Sequence, residues 1–219
     1  RSDRNKVRPA LELCKKKHIP VFVIDSEVSD TEAVVSTIVS DNYDAGVQCA
    51  KDMMKKKTSA NIIIVNQKAL NSINERVKGF RDTIKGHPQY KIVEEKESAA
   101  EFEIAMKVME KIIYEKKNYD VVMGGNDPIA LGCIAAMQMT DKTDQVMVYG
   151  VDGSPDGKAM IKAGFLEGTA AQSPIKIGEK AVQTAYSYLA GETVKKHVTI
   201  PVELITADNL KFYDMTGWQ

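Results

Sequence analysis

Cysteine, long apolar runs and any surplus of charge are scarce in this 219-residue chain. Its three cysteines, Cys14, Cys49 and Cys133, match neither a CxxC pair nor a zinc-ligand spacing. An odd count is no disulfide framework, and their helix-like contexts read as buried free thiols. The 30 Lys and Arg balance the 30 Asp and Glu. Zero net charge excludes a nucleic-acid binder that relies on a basic surface. The lysine runs Lys15–Lys17 and Lys55–Lys57 have no aromatic interleaving and read as solvated helix ends placed favourably for the helix dipole. No run approaches the roughly 20 apolar residues that span a bilayer. No charged-then-apolar leader is visible, and the abrupt charged opening RSDRNKVRP leaves a removed leader open. His18, His87 and His197 are scattered, which gives no metal site and no Ser/His/Asp arrangement. The glycine clusters at 124–125 and 150–157 lack Walker or GxGxxG spacing, so no cofactor is expected.

What is present is an alternation of short apolar runs and longer amphipathic stretches. Strands are expected at Pro20–Asp25, Asn61–Asn66, Tyr119–Met123 and Gln145–Gly150. Continuous apolar runs of this kind fit parallel strands covered on both faces. Helices are expected at about Tyr43–Lys56, Ser72–Gly86, Glu101–Glu115, Pro128–Met137, Pro155–Ala163 and Pro174–Leu189. Pro128, Pro155 and Pro174 fall where a first helical turn tolerates proline. The alternation predicts a doubly wound α/β fold. Such sheets bind ligands beyond the carboxyl ends of their strands. Asp25, Asn66, Gln67, Gly125-Asn126-Asp127 and Asp152-Gly153 all follow strands, so polar groups collect at that edge.

Each candidate carries two readings. Asn126-Asp127-Pro128 is an ordinary helix start, with Asp127 as the cap and Asn126 left to face the cleft. The turn from Asp152 to Gly157 is largely explained by its glycines and proline. Asp152 is the residue least explained, and a carboxylate there can accept two sugar hydroxyls. Arg76 is either a surface arginine or a fixed multi-donor group beside a cleft. Gln172, before a proline-started helix, is either a solvated loop residue or a paired donor and acceptor. Phe80 reads as packed on the sheet, and Gly79 as permitting close helix–strand packing.

The ordered motifs IPVFVID, IVSDN, ERVKGF, GGNDPIALG, VYGVDGSPDG and GTAAQSP resemble the ribose- and galactose-type periplasmic binding proteins of the type I fold, from about Arg8 to Val202. Each motif is weak alone, and their order and spacing are specific. The resemblance implies two Rossmann-like lobes with parallel sheets, joined by a three-crossing hinge near 40–42, 172–173 and 200–201. One lobe is expected at 1–40 and 173–201, the other at 41–172 and 202–219. It implies ligand contacts from Asp25, Arg76, Asn126, Asp152 and Gln172. Ser26 stands where ribose-type members carry an arginine, so the implied ligand is a pentose, hexose or polyol rather than ribose in particular. An expected cleft aromatic has no clean match, with Phe102 nearby.

Family members begin with a block of three strands and two helices that would precede Arg1. The first lobe is therefore expected to be incomplete, and sugar binding by these 219 residues alone to be weak or absent. The implied role is a solute-binding protein that delivers its ligand to an ABC transporter permease or chemosensor. It would be periplasmic, or lipid-anchored outside a Gram-positive cell, a monomer when full length, with no nucleic-acid partner. The alternative is the effector domain of a lac-repressor-type regulator, which shares the fold. Val151-Asp152-Gly153-Ser154 and the later Ala171-Gln172 favour the transport type. Strand-end carboxylates suit acid–base chemistry, but no nucleophile, metal or cofactor pattern accompanies them, so no enzyme is expected.

Overall fold

A computed structural model describes residues 7–140 and 146–219. Among them, strands form two sheets. The smaller is parallel, in the order β1 (Phe22–Ile24), β2 (Ser36–Ser40), β8 (His197–Ile200). The larger has the order β4 (Tyr90–Glu97), β3 (Ala60–Asn66), β5 (Val121–Gly124), β6 (Met147–Asp152), β7 (Gly168–Ala171), β9 (Glu203–Thr206). All its neighbours are parallel except β7 and β9, which run antiparallel. The helices are α1 (Arg8–Lys16), α2 (Asn42–Lys56), α3 (Asn71–Ile84), α4 (Phe102–Tyr114), α5 (Asp127–Gln138), α6 (Pro155–Lys162) and α7 (Pro174–Leu189). The described chain passes between the sheets at β2–α2, β7–α7 and β8–β9, giving two α/β lobes joined by three crossings.

The long core belongs to the six-stranded sheet. Ile62, Ile63, Ile64 and Val65 of β3 and Val121, Val122 and Met123 of β5 are fully buried, as central parallel strands require. Residues of α2, α3, α4 and α5 join them in one apolar cluster, and Phe80 is wholly buried there. The three-stranded sheet has far less beneath it: Leu11, Val23 and Val34 form one small cluster, Ile38, Ile177 and Ile200 another.

The first expected strand is shorter and less buried than its apolar run suggests. Among the described residues β1 pairs with β2 alone, and Ile24 is 52% exposed, as befits an edge. β2 reads as Ser-Thr-Ile-Val-Ser yet is buried throughout; Ser36 donates to the Lys195 carbonyl beside β8, and Ser40 donates to Gln172 after β7. β4 was hidden by its Lys and Glu content, which is how edge strands avoid further pairing. Gln145 of the fourth expected strand lies outside the described residues. Cys49 and Cys133 are buried, whereas Cys14 on α1 is half-exposed.

Candidate functional site

The site starts with two glycines. A Cβ on Gly46 would lie 1.8 Å from the Arg76 carbonyl oxygen, and one on Gly79 would lie 2.0 Å from that of Tyr43. Both neighbours are backbone and cannot rotate away, so α2 and α3 touch main chain to main chain. Gly79 thus serves helix–helix packing, not the helix–strand packing its sequence context suggested. The close crossing buries Arg76 to 4% exposure. Its surface reading is therefore excluded. Arg76 Nε donates to Asn42 Oδ1 at 2.8 Å, and Nη1 donates to the Gly125 carbonyl at 3.0 Å and to Asp152 Oδ1 at 3.4 Å.

Asp152 ends β6 with φ at 148°, a conformation that side chains rarely adopt. Such strain persists only where surrounding structure over-determines it, and it gathers at functional sites. Gln172 Nε2 donates to Asp152 Oδ1 at 2.7 Å, while Gln172 Oε1 accepts from Ser40 Oγ at 2.8 Å. Ser40 lies on the three-stranded sheet and Asp152 on the six-stranded one, so the chain Arg76–Asp152–Gln172–Ser40 joins the lobes. Burial pushes the Asp152 carboxyl up to about 7; Arg76 and Gln172 pull it down and Asp127 adds to the rise.

In the turn after β5 the cap is Asn126, not the expected Asp127. Asn126 Oδ1 accepts from the Ile129 N–H at 3.0 Å and caps α5. Its amide nitrogen is what remains to offer a ligand. Asp127 is fully buried. It accepts from the Ser154 N–H at 2.9 Å, the Ser154 hydroxyl at 2.6 Å and the Thr169 hydroxyl at 2.6 Å. It ties the turns after β5 and β6 to β7, directly behind Asp152. Sequence reasoning missed this hub because Asp before Pro already had a sufficient local explanation.

Asp25 stands apart from the network. It is exposed, has φ at 67°, and accepts from its neighbour Ser26 at 3.2 Å. It lines a cavity of about 270 Å³ between the lobes, together with Glu27, Ser40, Asp41, Asn42 and Glu75. Ser40 and Asn42 are the link, since each faces the cavity and is bonded to the network behind it. Among the described residues, four carboxylates and no lysine or arginine line this space, with His197 beside them. Glu27 Oε2 accepts from Asn71 Nδ2 at 2.5 Å across the cavity, and its Oε1 lies 3.0 Å from His197 Nε2. Phe102 is not part of this lining; it opens α4, and its carbonyl packs against Gly132 of α5.

A two-lobed α/β chain with polar strand ends facing an inter-lobe cavity can be compared with known proteins. The family model described as periplasmic binding protein domain matches residues 2–193. The chain belongs to this family. The ribose import binding protein of Escherichia coli is 30% identical over 207 residues, which are 93% of this chain and 69% of that protein. The D-apiose import binding protein of Paraburkholderia graminis is 31% identical over 210 residues, 94% of this chain and 67% of its own length. Among solved structures, an ABC transporter solute-binding protein from Agrobacterium vitis with bound D-fucose superposes with a TM-score of 0.86. It is 29% identical, and the match covers 95% of this chain and 73% of that one. This periplasmic binding protein domain thus resembles sugar import binding proteins in sequence and a sugar-bound solute-binding protein in shape.

Proposed function

We infer that this protein is the solute-binding component of an ABC transporter and captures a small, neutral, hydroxyl-rich ligand between its lobes. The observation that carries the reading is the Arg76–Asp152–Gln172–Ser40 chain, which gathers donors and acceptors from both lobes behind one cavity. A sugar or polyol entering the cleft exchanges these contacts for its own hydroxyls. Asp152 and Asp25 accept, Arg76 and the Asn126 amide donate, and Gln172 does both. Analogues lacking a hydroxyl leave one of these groups unpaired and bind less well. The carboxylate lining favours neutral sugars over sugar acids, which it repels. The import binding proteins it resembles support delivery to a membrane permease, and the family supports a location outside the cytoplasmic membrane. Binding without turnover is the role that follows.

A thermal-shift screen of the intact protein against pentoses, hexoses, polyols and uronic acids tests this reading. A ligand that binds only the folded state raises the melting temperature. The expected result is a rise with a neutral sugar or polyol and none with uronic acids. Stabilisation by uronic acids alone contradicts the neutral-ligand assignment.

A further inference from the structure

The Arg76–Asp152–Gln172–Ser40 chain closes on itself through Asn42. Arg76 Nε donates to Asn42 Oδ1 at 2.8 Å, and Asn42 Nδ2 donates to the Ser40 carbonyl at 3.2 Å. Ser40 Oγ donates to Gln172 Oε1 at 2.8 Å, Gln172 Nε2 donates to Asp152 Oδ1 at 2.7 Å, and Arg76 Nη1 donates to the same Asp152 oxygen at 3.4 Å. The result is a closed ring in which Ser40 is the one member on the three-stranded sheet. The Asn42 amide is used at both ends, its oxygen by Arg76 and its nitrogen by Ser40. It cannot flip without placing oxygen against oxygen and nitrogen against nitrogen.

Asn42 also spans the pivot of the first crossing. Asp41 alone separates β2 from α2, so its two soft backbone dihedrals are what that crossing turns on. The Asp41 N–H is tied to the Ile200 carbonyl of the third crossing at 2.9 Å. The Ser40 carbonyl lies before this pivot and Arg76 lies beyond it on α3, with the Asn42 amide between them. The two Nη1 acceptors of Arg76, the Gly125 carbonyl and Asp152, belong to the six-stranded lobe. The guanidinium is planar and rigid, so a bond at Nε sets the direction of the whole fork.

We propose that Asn42 is a positioning residue for the ligand site: it holds the Arg76 fork toward the cleft and is itself held by the first crossing. Asn42 faces the cavity, so the competing role is direct contact with the ligand. Two variants separate these roles. Asn42→Ala removes both bonds, and the start of α2 survives because Asp41 caps it through the Asp44 N–H. Asn42→Asp keeps an acceptor for Arg76 Nε and loses the amide donor.

The test reads the Arg76 Nε–Hε resonance of the intact, ligand-free protein by nuclear magnetic resonance. Calorimetric titration then uses the sugar identified by the thermal-shift screen. In Asn42→Ala the resonance is expected to move, Hε to exchange with water at least about tenfold faster, and affinity to fall at least about tenfold. Asn42→Asp is expected to restore slow Hε exchange and to recover at least about threefold of the lost affinity. An unchanged Arg76 resonance in Asn42→Ala overturns the proposal, and so does an unchanged affinity. Slow Hε exchange in Asn42→Asp without any recovery of affinity also overturns it, because Asn42 then acts on the ligand through its own N–H. The affinity arm rests on the sugar reading of the cleft, and the resonance arm does not. Failure of every sugar to bind wild type therefore contradicts that reading alone, while Hε exchange in the two variants still decides whether Asn42 holds Arg76.

Discussion

Asp152 combines two unusual properties at the residue scale: a strained φ, and a carboxyl that desolvation pushes up to about 7. Its folded pKa, about 7, stands above the ordinary carboxyl value of 3.8. The folded state therefore binds this proton more tightly than the unfolded chain does. The stabilisation is fully present below 3.8 and is lost as pH rises through about 7. Asp127 is shifted in the same direction by its own burial and adds to the trend. Denaturant unfolding at pH 5 and pH 8 is expected to show lower stability at pH 8 from these groups, and Asp152→Asn is expected to flatten the difference. Asp127→Ala leaves three donors of the Ser154–Thr169 cluster without an acceptor and is expected to cost about 3 kcal/mol or more. Equilibrium unfolding measures it, and a loss below about 1 kcal/mol contradicts the hub role. Asp152 was legible in the sequence because turn chemistry left it over. Asp127 was not, because its partners come from β6–α6 and β7, 27 to 42 residues away.

At the scale of elements, the α2–α3 crossing positions Arg76. Gly46→Ala drives a methyl group into the Arg76 carbonyl, and overpacking of this kind costs about 1–3 kcal/mol. Unlike a change in a remote core position, it is also expected to weaken ligand binding by moving the guanidinium. Lowered melting temperature with unchanged affinity means that the crossing does not position the site. The central strands of the larger sheet and its helices were readable because their apolar runs and proline starts agree with their tertiary setting. The missed strands are those whose composition reflects position. β2 is buried but polar because its serines find partners at each end: Ser36 donates to the Lys195 carbonyl, and Ser40, at the lobe junction, donates to Gln172. β4 is charged because it is an edge, and β9 is antiparallel because it returns from the other lobe.

At the scale of the whole molecule, the two sheets are unequal in core, and the ligand reading depends on their working together. The three crossings allow hinge motion about the cavity. Ser40–Gln172 and Glu27–Asn71 are the contacts that link the lobes beside it. Asn71→Ala removes the second of these without touching the Arg76 network. It is expected to loosen the closed form, seen as a larger radius of gyration in small-angle scattering of the ligand-bound protein. Identical scattering curves for wild type and variant mean that the bond does not restrain the lobes. The ordered motifs conveyed this architecture from sequence. They did not convey the cavity lining: Glu27 and Asn71 lie 44 residues apart and meet only through the fold.

Calorimetric titration of the sugar identified by the thermal-shift screen into wild type and Asp152→Asn tests the central claim most directly. The substitution keeps shape and removes the charged acceptor. Hydrogen bonds to charged groups contribute about 1.5–3 kcal/mol, so the affinity is expected to fall about 10- to 100-fold. An unchanged affinity contradicts the account, because the ligand then lies elsewhere than against the strand-end network between the lobes.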